Sequence, residues 1–223
     1  MSFDSSPAAP DAAFDRIRGC GVLPVITVDR TDDAARVGEA LLAGGLSCAE
    51  ITFRADAAPA AISAMSSRYP EMLVGAGTVL TVEQAHRAAE AGARFVVSPG
   101  YDDDVVDWCR SHAVPVLPGV MTPTEVSRAQ RADIDWVKFF PAEPAGGMTT
   151  LTALSGVFGN VVFVPTGGID ASNLADYLRL PAVAACGGSW LVSRQLIAGG
   201  DFRLIERLTA EAVGIVRGVR DTG

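Results

Sequence analysis

Lysine is nearly absent from this sequence, which has a single lysine, Lys138, among its 18 basic residues. The other basic residues are arginines, and they are scattered along the chain rather than clustered. Together with 26 acidic residues they leave a formal net charge of -8 at pH 7. Because a nucleic-acid-binding surface needs a stripe of positive charge, we expect no nucleic-acid partner.

Histidine and cysteine are also scarce, and their spacing does not suit a metal site. The two histidines, His86 and His112, fall in segments of helical period, and nothing pairs them at ligand spacing. The four cysteines are far apart and form no C-x-x-C pair: Cys20, Cys48, Cys109 and Cys186. We interpret them as reduced, core-filling side chains, and we predict no metal and no cofactor.

Long apolar runs are missing as well. No segment approaches the roughly 20 apolar residues of a membrane-spanning helix, and the start MSFDSSPAAPD has neither a basic nor an apolar stretch. We expect a cytoplasmic protein with no membrane partner. Residues 1–10 are expected to be flexible, and residues 11–223 to form a single catalytic domain.

The sequence does contain a regular alternation of short β-branched apolar runs with alanine-rich segments of helical period. A helix is predicted at about 11–19, followed by strands at 22–28, 48–53, 72–76, 93–98, 114–118, 135–140, 161–165 and 182–186. This alternation predicts an α/β fold, a single closed (β/α)8 (TIM) barrel with an additional N-terminal helix. An open doubly wound sheet is the alternative, weakened by the lack of a G-x-G-x-x-G turn after the first strand.

Threonines are predicted to cap several of the intervening helices. Thr31 and Thr81 precede helical segments, and Thr122 is followed by Pro123 and Glu125 in a capping-box pattern. These signals place the helix starts between the predicted strands.

Polar residues gather at the carboxyl ends of the strands, the edge that carries the active site in a barrel of this type. In the second strand the period of two places Glu50, Thr52 and Arg54 on one face, with Ile51 and Phe53 on the other. We expect the three polar groups to point into the barrel, although an edge strand with a solvated face would give the same pattern.

Glycines accompany several other strand ends. In GAGTVL, Gly75 and Gly77 would let the backbone approach a ligand, and Thr78 offers a hydroxyl. The seventh and eighth strands end in TGGI (166–169) and GGSWL (187–191), two Gly-Gly turns that would each feed a helix start. Bare backbone N–H groups at such turns can bind an anion, although either turn alone could be purely structural.

Lys138 lies in the apolar and aromatic run DWVKFFP of the sixth strand. Burial penalises the charged ammonium there and favours the neutral, nucleophilic amine. A strand lysine can instead pair with a carboxylate or lie at an exposed strand end. Arginine carries every other positive charge in this chain and stays protonated, so the exception indicates a role that needs a primary amine.

These residues together permit Schiff-base chemistry. A lysine amine condenses with a ketone to an iminium, an electron sink that lets an adjacent C–C bond break. Glu50 would move the protons, Arg54 would hold a substrate carboxylate with help from Thr78, and the Gly-Gly turns would hold a phosphate. The predicted partner is therefore a phosphorylated 2-keto acid, cleaved to a small keto acid and a phosphorylated aldehyde.

Six motifs in this order resemble the 2-keto-3-deoxy-6-phosphogluconate (KDPG) / 4-hydroxy-2-oxoglutarate aldolase family: EITFR, GAGTVL, SPG, VKFFPAE, PTGGI and GGSWL. The resemblance spans about residues 20–200, and VKFFPAE and GGSWL are highly specific. It implies a class I aldolase that forms pyruvate and glyceraldehyde 3-phosphate in the Entner-Doudoroff pathway. It also implies activity on 4-hydroxy-2-oxoglutarate, with pyruvate and glyoxylate as products, and a cytoplasmic homotrimer.

The resemblance assigns roles that the residues alone leave open. Lys138 would form the Schiff base and Glu50 would transfer protons. The substrate-binding residues would be Arg54, Thr78, Pro99, Phe140 and Thr166, and the phosphate-binding residues would be Gly167, Gly168, Gly188 and Ser189.

Two other enzyme activities remain possible at this stage. A 2-dehydro-3-deoxy-6-phosphogalactonate aldolase would share most of the motifs, but enzymes of that type tend to lack the arginine that this chain has as Arg54. A phosphosugar isomerase or epimerase would share the TGGI turn but would call for inward Asp/His pairs or metal ligands. A phosphosugar-binding barrel without catalysis would give Lys138 no reason to be buried.

Overall fold

The computed structural model describes residues 10–221. The segment expected to be flexible, residues 1–10, lies outside the described residues apart from Pro10, which begins the first helix. The strands are β1 Val22–Ile26, β2 Cys48–Thr52, β3 Leu73–Gly77, β4 Val96–Val97, β5 Val116–Leu117, β6 Gly119–Val120, β7 Trp136–Phe139, β8 Val162–Pro165 and β9 Cys186–Gly188.

Helices alternate with these strands, as the sequence pattern predicts. They are α1 Pro10–Cys20, α2 Thr31–Ala43, α3 Ala58–Arg68, α4 Val82–Glu90, α5 Asp103–Ser111, α6 Pro123–Arg131, α7 Gly147–Val157, α8 Leu174–Leu178, α9 Arg194–Ala198 and α10 Phe202–Arg220, with a 3-10 turn at Trp190–Val192. The helix predicted at about 11–19 corresponds to α1.

The strands form two parallel sheets, one in the order β5-β4-β3-β2-β1-β9 and one in the order β6-β7-β8. Only Pro118 separates β5 from β6, so the predicted fifth strand is interrupted at a residue that has no backbone N–H. On the other side of the smaller sheet, isolated bridges join Phe163 to Val183 and Thr166 to Gly187. The result is an α/β fold built around a curled parallel sheet.

The eighth strand is displaced from its predicted position. The prediction placed it at 182–186, whereas β9 is Cys186–Gly188. A Cβ added at Gly187 would lie 2.2 Å from the Thr166 hydroxyl oxygen, so only glycine lets the chain run this close to the end of β8. Strand propensity favours the apolar residues just before Cys186, and the packing requirement at Gly187 overrides it.

Two of the three threonine caps are confirmed. The Thr81 and Thr122 side chains accept hydrogen bonds from backbone N–H groups three residues on, and Thr122 forms the expected capping box. The Thr31 prediction was wrong, because Thr31 is the first residue of α2 and Arg30 occupies the cap position without a side-chain hydrogen bond. The acidic first turn of α2 still complements the positive end of the helix dipole.

The core lies on both faces of the sheet. Every residue of β2 and β3 is buried, as expected for parallel strands that helices cover on one face and facing strands fill on the other. Helix α10 has 19 residues and packs against α2 on the outside of the sheet. This arrangement holds the carboxyl ends of the strands at one edge.

Candidate active site

Lys138 and Glu50 form an ion pair in the interior. Lys138 lies on β7 and Glu50 on β2, and the distance from Lys138 Nζ to Glu50 Oε1 is 3.2 Å. The two side chains are only 6% and 1% exposed. Since β7 and β2 belong to different sheets and are not neighbours, the pair spans the space enclosed by the curled strands.

Two glycines of β3 make room for side chains inside this space. A Cβ added at Gly77 would lie 2.1 Å from Glu50 Oε1, and one added at Gly75 would lie 2.3 Å from the ring of Phe95. The expectation that Gly75 and Gly77 bring the backbone close to a ligand therefore needs correction. Their missing side chains accommodate Phe95 and the Glu50 carboxylate instead.

Electrostatics explains why the pair is useful for chemistry more than for stability. Removing an ammonium and a carboxylate from water costs several kcal/mol for each ion, and their attraction roughly offsets that cost. Transfer of one proton from Lys138 to Glu50, over 3.2 Å, leaves a neutral amine beside a neutral acid. The Phe140 ring, centred 5.4 Å from Nζ, adds an apolar wall with a favourable cation–π contact.

A cavity of about 330 Å³ adjoins the pair and contains most of the predicted substrate-binding and phosphate-binding residues. Seven of them line it: Arg54, Phe140, Thr166, Gly167, Gly168, Gly188 and Ser189. Lys138 is not part of the lining, but Phe140 forms part of the wall and also contacts the amine. A molecule in this cavity would therefore contact Phe140, whose ring in turn contacts the Lys138 amine.

The turn after β8 has the geometry of an anion site. Gly167 and Gly168 have φ values of 103° and 81°, a region that side chains strongly disfavour. Their carbonyl oxygens accept hydrogen bonds of 3.0 Å, from the Glu143 N–H and from the Asn173 side-chain amide. Among the described hydrogen bonds none uses the N–H of Gly167 or Gly168, and both residues line the cavity.

The turn after β9 closes the same end of the cavity. Gly188 ends β9, and Ser189 leads into the 3-10 turn Trp190–Val192. A Cβ added at Gly188 would lie 1.8 Å from the Trp190 ring, so Trp190 packs directly on this turn. Only this turn feeds a helical segment at once, because α8 begins at Leu174, several residues beyond the turn after β8.

Arg54 reaches the cavity from a turn and not from the strand. Strand β2 ends at Thr52, and Arg54 is exposed, so the expected alternation holds for Glu50 and Thr52 but does not extend to Arg54. Thr52 is buried, and its hydroxyl is hydrogen-bonded at 2.8 Å to that of Thr27, which directly follows β1. The expected apolar face is present at Ile51, which is fully buried.

Thr78 and Pro99 lie at the ends of the neighbouring strands and not among the residues lining the cavity. Thr78 follows β3 and has a φ of 55°, a left-handed conformation that is unusual for a β-branched residue. Backbone strain of this kind concentrates at functional sites. Pro99 follows β4, and its carbonyl oxygen would lie 2.2 Å from a Cβ at Gly119, so the Pro99 backbone packs against β6.

Several cavity residues were not predicted: Val25, Thr27, Ile169, Val192, Ser193 and Arg194. Thr27 directly follows β1, so the rule that strand ends carry the site could have found it. Arg194 follows the GGSWL motif, but nothing in the sequence separates it from the other arginines. A second cavity, of about 380 Å³, lies around Val116 and Trp136, and none of the predicted site residues lines it.

Within residues 10–221 no cluster of three or more His, Cys, Asp or Glu side chains could hold a metal ion. The described helices also include none that is long and apolar enough to cross a membrane.

A buried amine, a carboxylate within proton-transfer distance and open amides at the carboxyl edge of a parallel α/β sheet define the class: an aldehyde-lyase of the metal-independent, Schiff-base (class I) type. The family described as KDPG and KHG aldolase matches residues 14–208. The chain belongs to this family.

Relatives and solved structures are similar over most of the chain. It is 48% identical over 204 residues to the 2-dehydro-3-deoxy-phosphogluconate aldolase of Treponema pallidum, covering 92% of this chain and 96% of that protein. The KHG/KDPG aldolase of Escherichia coli K12 is 41% identical, with 86% and 90% covered. The KDPG aldolase of Legionella pneumophila, solved with pyruvate captured as a covalent carbinolamine, has a TM-score of 0.87, 39% identity and coverage of 91% and 97%.

Proposed function

We propose that this protein cleaves 2-dehydro-3-deoxy-6-phosphogluconate to pyruvate and glyceraldehyde 3-phosphate through a Schiff base on Lys138. The observation that carries the proposal is the buried contact of 3.2 Å between Lys138 Nζ and Glu50 Oε1, next to a cavity with anion-binding turns. Family membership and the named activities of the relatives support the same reaction.

The reaction starts with proton transfer from the Lys138 ammonium to Glu50. The neutral amine attacks the C2 carbonyl of the substrate, and the carbinolamine loses water, with Glu50 supplying the proton that leaves with the hydroxyl. The product is a protonated imine, which withdraws electrons from the adjacent carbons. The chain itself provides both the nucleophile and the proton carrier.

Cleavage then breaks the bond between C3 and C4. Glu50 removes the proton of the C4 hydroxyl, the C4–O bond becomes the aldehyde carbonyl, and the bonding electrons move into an enamine on the pyruvate fragment. Protonation of the enamine at C3 and hydrolysis of the imine release pyruvate and free the lysine. Glu50 lies close enough to Nζ to serve each proton transfer at this end of the substrate.

The substrate has an anion at each end, and the cavity offers a place for both. We assign the carboxylate to the Arg54 guanidinium, with the Thr78 hydroxyl and the Thr166 side chain nearby and with Phe140 and Pro99 as apolar walls. We assign the phosphate to the amides of Gly167 and Gly168 and to the turn at Gly188 and Ser189. The open N–H groups of the first turn are the strongest support for this orientation.

Other substrates follow from the same site. 4-Hydroxy-2-oxoglutarate has the same keto acid end without the phosphate, and cleaving it would give pyruvate and glyoxylate. The galactonate-derived epimer differs only at C4, where the reacting hydroxyl lies, so a galactonate-type aldolase is the alternative. We expect higher kcat/KM with the gluconate-derived substrate, and steady-state kinetics with both epimers decides between the two.

We also propose a finer architecture and an assembly. The Pro118 interruption and the bridges from Phe163 and Thr166 support one closed (β/α)8 barrel, with residues 11–223 as one catalytic domain. By family resemblance the protein would be a cytoplasmic homotrimer. Light scattering should then give three copies of the 23.2 kDa chain, about 70 kDa.

Borohydride trapping tests the mechanism directly. Incubation with pyruvate and borohydride should add one reduced pyruvyl group to the peptide that contains Lys138, which peptide mass spectrometry identifies. Because Lys138 is the only lysine, no other side-chain amine competes.

Lys138→Arg should lose both the adduct and measurable turnover while its circular dichroism and melting temperature stay close to wild type, since the positive charge beside Glu50 is kept. The exposed substitution Arg179→Gln is the matched control, because it adds no amine, and it should keep both. An unmodified wild-type protein, or a Lys138→Arg variant with near-normal turnover, would refute the imine.

A further inference from the structure

Arg194 lines the cavity at its phosphate end. It is the first residue of α9, which follows the Gly188–Ser189 turn after one 3-10 turn. The cavity lining contains two guanidinium groups, Arg54 and Arg194, and no carboxylate among the described residues. If Arg54 binds the substrate carboxylate, Arg194 is the one other positively charged side chain in the described cavity lining that could bind the phosphate.

An acidic residue from another strand end holds Arg194. The Arg194 guanidinium is paired with the carboxylate of Asp29, which follows β1, 165 residues away in sequence. The two side chains are 60% and 61% exposed, so both can move. Asp29 belongs to an adjoining cavity that also includes Arg30 and Arg36, and Arg194 lines both cavities.

We propose that Arg194 determines selectivity for phosphorylated substrates and that Asp29 regulates its strength. This inference rests on the proposed function and adds a residue to it. A phosphate group carries a charge of about -1.5 to -2 at pH 7 and offers three acceptor oxygens, so it competes well with a single carboxylate for the guanidinium. Phosphate binding would draw Arg194 from Asp29 towards the open amides of Gly167 and Gly168.

The pairing has a consequence for substrates without phosphate. The far end of 4-hydroxy-2-oxoglutarate is a carboxylate at C5, which carries one charge and lies closer to the reacting carbons than the phosphate does. Arg194 then stays with Asp29 and contributes little. With phosphate present, the new charge-assisted hydrogen bonds exceed the exposed ion pair that they replace, because exposed pairs are worth little. Arg194 would therefore raise the activity on the phosphorylated substrate relative to the activity on 4-hydroxy-2-oxoglutarate.

The experiment measures the ratio of kcat/KM for 2-dehydro-3-deoxy-6-phosphogluconate over that for 4-hydroxy-2-oxoglutarate. Arg194→Gln should lower this ratio about tenfold. This is the smallest loss expected when a hydrogen bond to a charged group is removed, because the site is partly exposed and solvent weakens the interaction. Asp29→Asn should raise the ratio about twofold to threefold by releasing Arg194. Inhibition by inorganic phosphate should weaken in Arg194→Gln and strengthen in Asp29→Asn.

Arg179→Gln is the matched control, because Arg179 has a similar exposure of 64% and pairs with Asp176 at the far end of α8. It should leave the ratio unchanged. An unchanged ratio in Arg194→Gln, or equal losses with both substrates, would overturn the role of Arg194.

Pyruvate–borohydride labelling of every variant distinguishes an incorrect role for Arg194 from an incorrect Schiff-base mechanism. If the wild-type protein gains the adduct and the ratio does not change, only the Arg194 role falls. If it gains no adduct, both assignments fall.

Discussion

At the residue scale, the proposed mechanism rests on a single pair of side chains, Lys138 and Glu50. In that mechanism Lys138 would need Glu50 to accept and return its proton. Glu50 needs Lys138 because an uncompensated carboxylate at 1% exposure would be costly. Phe140 keeps water away from one side of the amine. These requirements explain why a charged pair persists in a place where apolar residues would pack as well.

Glu50→Gln should lower kcat about 10²-fold to 10⁴-fold, the range for loss of a general acid–base. The amide keeps the shape of the side chain and can still accept a hydrogen bond from Lys138, so the borohydride adduct should form more slowly but still form. Stopped-flow and steady-state assays measure both rates. Glu39→Gln, on the exposed face of α2, is the control, and a Glu50→Gln enzyme within twofold of wild type would rule out proton transfer by Glu50.

Cys20 should be the reactive thiol of this protein. A hydrogen bond from the Cys48 thiol outweighs burial and lowers the pKa of Cys20 to about 6, whereas burial raises the pKa of Cys109 to about 12. Because the thiolate is the nucleophile, iodoacetamide at pH 7 should modify Cys20 at least about tenfold faster than Cys109. Its rate should fall as pH drops below about 6. Mass spectrometry of the labelled peptides measures this, and equal labelling would contradict the assignment.

At the element scale, strand β3 shapes the site because it has a glycine, with no side chain, at position 77. Gly77 lies opposite Thr52 of β2 in the register, and the space that its side chain would fill is occupied by the Glu50 carboxylate. A methyl group there must displace Glu50 from Lys138.

Gly77→Ala should therefore lower kcat by about tenfold or more, because a shift of about 1 Å in a catalytic group can cost up to 10²-fold. The protein should also lose about 1–3 kcal/mol of unfolding free energy through overpacking. Gly156→Ala, in helix α7 with open space around its Cβ, is the control and should be neutral or slightly stabilising. Urea unfolding and steady-state kinetics separate the two effects, and full activity in Gly77→Ala would show that Glu50 has room to move.

Element positions were predictable wherever local pattern and packing agree. Seven of the eight predicted strands lie where expected, because runs such as VLPVI in β1 are apolar on both faces. The eighth could not be placed, since the reason for a strand at Gly187 is its contact with Thr166, far away in sequence. The Thr31 cap failed because the same residue type is compatible with the cap and with the first helical position.

At the scale of the whole molecule, the site depends on strands that are distant in sequence. Period and residue type made Lys138, Glu50 and the Gly-Gly turns candidates, and the structure brings Lys138 and Glu50 into contact. Sequence reasoning could not single out Arg194, since its proposed role depends on the approach of Asp29 from the other end of the chain. It also could not detect the left-handed backbone of Thr78, which has no signature in the residue type.

The connection between β8 and the segment of β9 has less strand pairing than the centre of the curled sheet. It consists of isolated bridges at Phe163 and Thr166, whereas β2 and β3 share a continuous register of five residue pairs. Local opening costs least where fewest strand hydrogen bonds must break. The two Gly-Gly turns of the proposed phosphate site lie on either side of this seam, so we expect an anion bound there to slow the opening of the seam.

Residue-resolved hydrogen exchange tests this seam. The amides of Phe163 and Ala184 donate across it, to Ala182 and Phe163, and should exchange about tenfold faster than the amide of Leu73, which donates from β3 to Ser47. Inorganic phosphate should slow exchange at Phe163 and Ala184 and leave Leu73 unchanged, because an anion held by both turns ties β8 to β9 and stabilises only the closed seam. Uniform protection of all three amides would mean that the sheet opens as one unit. Slower exchange at all three with phosphate would place the stabilisation in the whole fold and not at the seam.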